Sequence, residues 1–163
     1  MDETIEARRQ EASRIIKTYM GWSAGAAIVP IPWFDLAAVT ALQVKMVADL
    51  SEVYDIAFSK SVVKSIIGGL VGSVLPATLA RGASSLIKAI PGVGSFLRVL
   101  TAPAFSTAST YAVGRVFMQH FEAGGNILNF DPDAMRAHFK EEFESAASNS
   151  KSGGAKTEAK SAA

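Results

Sequence analysis

Apolar positions recur at helical spacing along most of this chain. Between residues 2 and about 20, Ile5, Ala12, Ile15, Ile16 and Tyr19 form a narrow stripe on a helix whose other faces carry Glu3, Glu6, Arg8, Arg9, Glu11, Arg14 and Lys17. Acidic residues lead and basic ones follow, the order the helix dipole favours. Thr18 to Phe34 is then free of charge over 17 residues, and Pro30-Ile31-Pro32 interrupts it, so that a helix ends or bends there and the chain reverses. Pro32 suits the first turn of a second helix running to about Tyr54, with Val39, Leu42, Met46, Leu50 and Val53 on one face. Ser59 is the expected N-cap of a third helix, which carries Lys60 and Lys64 and then 16 uncharged residues, Ser65 to Ala80.

Beyond Arg81-Gly82, a shorter amphipathic piece ends at Lys88-Ala89-Ile90, where Pro91-Gly92-Val93-Gly94 breaks the helix. A third uncharged run of 16 residues, 99–114, leads through Val116-Phe117-Met118 to a stop at Gly124-Gly125. Asp131-Pro132 reads as an N-cap followed by proline at the first helical position, opening a short last helix with Met135, Phe139 and Phe143 along one side. That helix is expected to be water-exposed and loosely docked. From Ala147 onward no large apolar residue remains to offset the entropy of ordering, which predicts a disordered tail. No strand alternation and no Asn-Gly or Asp-Gly hairpin turn is found.

The pattern predicts an all-α fold of about five to six helices, arranged as hydrophobic helical hairpins. Its expected divisions are a charged amphipathic helix over 1–20, a hydrophobic helical domain over 21–125, an amphipathic helix over 126–146 and the tail over 147–163. At 163 residues the chain accommodates one domain with a sizeable core.

Charged residues make up 19% of the chain, below the roughly 25% usual for soluble domains, and they gather at its two ends. This layout is what membrane contact by the middle of the chain would produce. Yet the three uncharged runs are 16 or 17 residues long, about one turn short of the ~20 apolar residues a spanning helix needs. Snorkelling lysines and arginines at their ends could add effective length. Gly68 and Gly72 form a small-xxx-small pair, either for close helix packing in a membrane or for a tight crossing in a soluble bundle. Trp22 and Trp33 flank the first uncharged run, where interfacial aromatics would stand; core tryptophans are the alternative.

A net charge of +1 does not indicate nucleic-acid binding. The absence of cysteine rules out disulfides and thiolate metal sites. The acidic N-terminus lacks the basic start and apolar stretch of a secretion signal, so a cytoplasmic N-terminus is expected.

No catalytic, cofactor or metal constellation emerges. Gly68-Gly69-Leu70-Val71-Gly72-Ser73 lacks the lysine of a phosphate loop, and Gly92-Val93-Gly94 lacks the third glycine of a dinucleotide fingerprint. His120 and His138 stand 18 residues apart, too far for a metal pair on one helix. Asp35 and Asp49, 14 residues apart on the second helix, are separated by about 20 Å and cannot act as a carboxylate pair. Ser95, Ser106 and Ser109 sit in no nucleophile turn; hydroxyls in such helices bond to the backbone one turn back or to a neighbouring helix. Asp35, in a first turn inside uncharged surroundings, either caps the helix or stabilises its dipole, or forms a buried ion pair with a basic residue such as Lys88 or Arg98.

Three segments resemble a known family. They are Pro30-Ile31-Pro32-Trp33-Phe34-Asp35 continuing into Leu42-Gln43-Val44-Lys45-Met46, Leu86 to Gly94, and Thr110-Tyr111-Ala112-Val113-Gly114-Arg115. In this order and spacing they are similar to the YcjF-type bacterial domain of unknown function, over roughly residues 10 to 125. By position, Pro30, Pro32, Asp35, Gln43, Lys88, Pro91, Gly92, Gly94, Thr110 and Gly114 are the motif residues, with structural roles. The resemblance implies a helical membrane or membrane-associated domain, often fused to or encoded beside a small GTPase of the Era or dynamin-like kind.

The expected function is therefore a non-enzymatic, membrane-associated adaptor or scaffold at the bacterial inner membrane or its cytoplasmic face. Its expected partners are membrane lipid, a separate small GTPase and further copies of itself, without a cofactor or nucleic acid. Two alternatives are a soluble helical protein-binding module that oligomerises through its apolar helices, and a membrane-remodelling or pore-forming element.

Overall fold

The computed structural model describes the backbone of residues 2–26, 34–74 and 102–161, with side chains over 3–25, 37–74 and 104–149. Among the described residues there are five helices and no strand: α1 (Asp2–Ala26), α2 (Phe34–Val53), α3 (Lys60–Val74), α4 (Ala102–Glu122) and α5 (Pro132–Ser161). The all-α fold expected from the periodicity is the fold observed. The segments around Pro30 and around Pro91 to Gly94, where hairpin turns were expected, lie outside the described residues.

Helix boundaries follow local chemistry. Asp131 Oδ1 accepts the backbone N–H groups of Asp133 and Ala134 at 3.0 and 3.3 Å, so the expected N-cap is in place and Pro132 opens α5. At the end of α4, Gly124 takes φ +84°, the N–H of Gly125 donates to His120 O, and that of Gly124 donates to Phe121 O. This is a Schellman closure, and it puts the helix stop at the glycine pair. The end of α2 closes the same way around Asp55 at φ 56°, with Ile56 N–H donating to Ser51 O at 2.8 Å. Asparagine or aspartate is the usual substitute for glycine there, at some cost in strain.

α4 is the axis of the bundle, with α1, α2, α3 and α5 packed around it. Its Ala108, Ala112, Val113, Val116, Phe117 and Met118 are all buried. The described part of the third uncharged run is therefore interior: it carries no charge because helices surround it. In the described part of this run, packing against neighbouring helices covers the apolar side chains. The first two runs are two-sided where described. Tyr19 and Ser23 are buried while Trp22 is 56% exposed, and Ile66, Ile67, Leu70 and Val71 are buried while Gly68 and Gly72 face outward.

α5 departs from the loose docking expected of it. Phe139 and Phe143 are fully or almost fully buried, and Phe143 meets Phe105 of α4 edge to face at 5.4 Å. Two aromatics one turn apart place a large apolar area on one face, which outweighs the charge on the others. Burial extends to Ala146 and Ala147, while the helix backbone continues to Ser161. Ala, Lys, Glu and Ser in that extension suit a helix by propensity but supply no large apolar side chain.

Phe139→Ala should lower unfolding stability by about 3–5 kcal/mol. Guanidinium denaturation is the check, and a change below about 1 kcal/mol would mean that α5 is not docked as described.

Candidate functional site

Among the described residues, a polar cluster lies in the bundle interior where α1, α2 and α4 meet. Gln43 of α2 is buried, and its Nε2 donates to Ser109 Oγ at 3.1 Å and Thr110 Oγ1 at 3.2 Å on α4. Ser109 Oγ in turn donates to Ser106 O, and Ser106 Oγ reaches across to Ser23 O of α1 at 3.0 Å. Every link is between neutral groups. The hydroxyls donate to backbone carbonyls or accept from an amide, and no carboxylate or imidazole stands among these partners to activate them. The cluster fastens three helices in one register, the role of buried, satisfied polar groups.

Gly114 completes this junction from the next turn of α4. A methyl group built there would stand 2.6 Å from Cγ1 of the buried Ile16, so only glycine lets α1 approach α4 this closely. The structure thus brings Gln43 to Thr110 where α2 meets α4, and sets Gly114 against Ile16 where α1 meets α4. Gly68 and Gly72 behave otherwise: nothing among the described residues comes within 4 Å of a side chain built at either, whereas Gly69 between them faces Pro132 of α5 at 3.8 Å.

Charged groups border the bundle at its surface. Arg9 Nε donates to Glu122 Oε1 at 3.0 Å, and Tyr54 Oη donates to the same oxygen at 3.2 Å, joining α1, the end of α2 and the end of α4. Tyr19 Oη donates to Asp49 Oδ2 at 2.6 Å, and Asp49 Oδ1 accepts from Lys45 at 2.9 Å. Burial, reinforced by the hydrogen bond to Asp49, pushes the Tyr19 phenol up to about 12. Tyr54 is likewise pushed up to about 12, by burial first and then by the charge of Glu122. The Lys45 ammonium is raised by its bond to Asp49.

A second polar seam joins α4 to α5. Gln119 Nε2 donates to Glu142 Oε1 at 3.2 Å, and Gln119 Oε1 is hydrogen-bonded to His138 Nε2. Arg115 Nε is buried 3.5 Å from Glu142 without a hydrogen-bond partner among the described residues. His120 Nε2 bonds to Asn126 O and Asn129 Oδ1 at 3.0 Å each, inside the loop that follows α4. The two histidines serve separate structural seams, and no group of three or more His, Asp or Glu suited to a metal ion occurs among the described residues.

The remaining feature is an open groove of about 720 Å³ between α2 and α3. Its floor is formed by small and apolar residues of α2, Ala37, Ala41, Val44 and Ala48, with Thr40 among them. Lys45 stands on its α2 side, Lys60 and Lys64 on its α3 side, and Phe58 lines it from the connecting loop at 41% exposure. Lys60 and Lys64 have no ion pair among the described residues. The sequence places both lysines on α3, but their relation to the alanines of α2 depends on how the two helices cross. Nor does the chain order reveal the Arg9–Glu122 and Tyr19–Asp49 pairs.

Asp35 stands in the first turn of α2, with its side chain outside the described ones. Pro30, Pro32, Lys88, Pro91, Gly92 and Gly94 lie outside the described residues, as does the expected pairing of Asp35 with Lys88 or Arg98.

Residues 1–148 match the model of the family described as domain of unknown function (DUF697). Magnetosome membrane protein 22 of Magnetospirillum gryphiswaldense is 46% identical over 134 residues, spanning 82% of this chain and 69% of that protein. No solved structure matches.

Gln43→Leu keeps most of the side-chain volume and leaves two buried hydroxyls without their partner, so stability should fall by about 1–3 kcal/mol with helicity retained. Urea denaturation followed by circular dichroism measures this. The phenols give a pH dependence of definite sign. Their folded values of about 12 exceed the ordinary 10, so their stabilisation is complete below the lower value and is lost as pH rises through the upper one. A Tyr19→Phe/Tyr54→Phe variant should therefore lose less stability than the parent over that alkaline interval, read from denaturation midpoints.

Proposed function

This chain belongs to the DUF697 family, and we propose that it is a non-enzymatic, membrane-associated helical module that works as an adaptor or scaffold. The observation that carries this reading is the 46% identity, over 82% of the chain, to a protein named for the magnetosome membrane. The buried bonds from Gln43 to Ser109 and Thr110 and from Ser106 to Ser23 join helices to one another, as a structural module requires.

None of the described helices is long and apolar enough to cross a membrane. Contact by the described bundle is therefore contact by a surface. Trp22 and Phe58, exposed at 56% and 41%, and the groove beside Phe58 are the surface features suited to it. A separate small GTPase, implied by the YcjF resemblance, is retained as a candidate partner. Self-association through the outward face of α3 is a second reading, favoured by the open space at Gly68 and Gly72.

Fractionation of bacteria expressing the tagged full chain tests the main reading. The protein should stay in the membrane pellet through carbonate washing and be released by detergent. Release by carbonate as a discrete soluble species would overturn it and leave the soluble protein-binding module.

A further inference from the structure

We propose that the groove between α2 and α3 is a binding site for an anionic phospholipid of a bilayer, its lysine rim taking the phosphate headgroup and its alanine floor an acyl chain. This inference rests on the membrane reading above and assigns a place and a lipid class to it.

The rim carries an electrostatic imbalance. Lys60 and Lys64 are one turn apart on the same face of α3, and both border the groove. Two cations at this spacing repel one another. Lys60 also stands in the first turn, which holds no acidic residue and where the helix dipole favours anions. Lys45 across the groove differs, because Asp49 holds its ammonium at 2.9 Å. Neither Lys60 nor Lys64 has an ion pair among the described residues. A phosphate seated between them would relieve the repulsion and be drawn by both charges.

The floor supplies the apolar half. Ala37, Ala41, Val44 and Ala48 recur every three or four residues along α2, giving a shallow strip free of large side chains. The groove's volume of about 720 Å³ falls within the ~300–1,000 Å³ of small-molecule sites. Phe58 stands at its edge beside Lys60, the pairing of aromatic ring and basic side chain found at the headgroup level of membranes. A free inorganic anion would use the lysines and leave the floor unoccupied. An acidic peptide without apolar side chains would satisfy the charges and leave the floor unused.

Vesicle flotation of the full chain tests the site, using phosphatidylcholine vesicles with and without phosphatidylglycerol. Binding should require phosphatidylglycerol and weaken as salt rises. Lys60→Gln/Lys64→Gln should weaken it by about 25-fold, at about fivefold per lysine near an anionic surface. Lys60→Arg/Lys64→Arg should retain it. Lys17→Gln/Lys140→Gln makes the same change in net charge away from the groove and should float like the parent. Ala41→Phe, at an exposed position of the floor, should weaken binding by obstructing the acyl chain, with circular dichroism verifying that each variant folds.

Equal flotation of parent and glutamine variant overturns the proposal and leaves the membrane reading standing. So does an equal loss in the Lys17/Lys140 control, which would assign the attraction to overall charge. If Ala41→Phe binds normally, the acyl half is refuted. Failure to float on any vesicle, combined with release by carbonate, would overturn the membrane reading itself.

Discussion

The architecture depends on surrounding α4. Ala108, Ala112, Val113, Val116, Phe117, Met118 and Phe121 together spread apolar surface over more than half of its circumference, so the helix is stable only when neighbours remove it from water on several sides. α1, α2, α3 and α5 do so, and the closest approach is set by Gly114 against Ile16. Burial on this scale is non-directional and would tolerate sliding or rotation of one helix on another. The bonds from Gln43 to Ser109 and Thr110, and from Ser106 to Ser23, remove that freedom, because a shift of one residue would strand buried polar atoms.

With the axis secured, the charged residues are left to the periphery. The Arg9–Glu122–Tyr54 group and the Tyr19–Asp49–Lys45 group each join the edges of helices whose apolar faces already meet in the core. Exposed pairs of this kind contribute little stability individually, but they fix which residues at the surface remain without a partner. Asp49 engages Lys45, while Lys60 and Lys64 across the groove are left without such an acid among the described residues.

The same geometry shapes the functional reading. Residues 1–148 match DUF697, and the 46% identical relative is named as a membrane protein of the magnetosome. The interior of α4 is filled by its own neighbours. The proposed adaptor role accordingly rests on surfaces: the groove, the outward side of α3 and the exposed aromatic rings.

Much of the fold was legible in the sequence because helix starts, stops and periodicity are local properties. Ser59 before α3, Asp131-Pro132 at the start of α5 and Gly124-Gly125 after α4 marked boundaries that the backbone respects. The environment of each apolar face was not legible. A run without charge reads the same whether helices or lipid surround it, since both exclude water, and only the packing of four helices around α4 decides for the described part of residues 99–114. The close-packing glycine could not be chosen by spacing either: Gly68 and Gly72 fit the known pattern and face outward, while Gly114 lies against Ile16. The sequence by itself determined an all-helical chain, its helix ends and its poverty of charge. Which faces are interior, which polar groups meet and which lysines remain unpaired were decided by the tertiary structure, because these depend on distances between residues far apart in the chain.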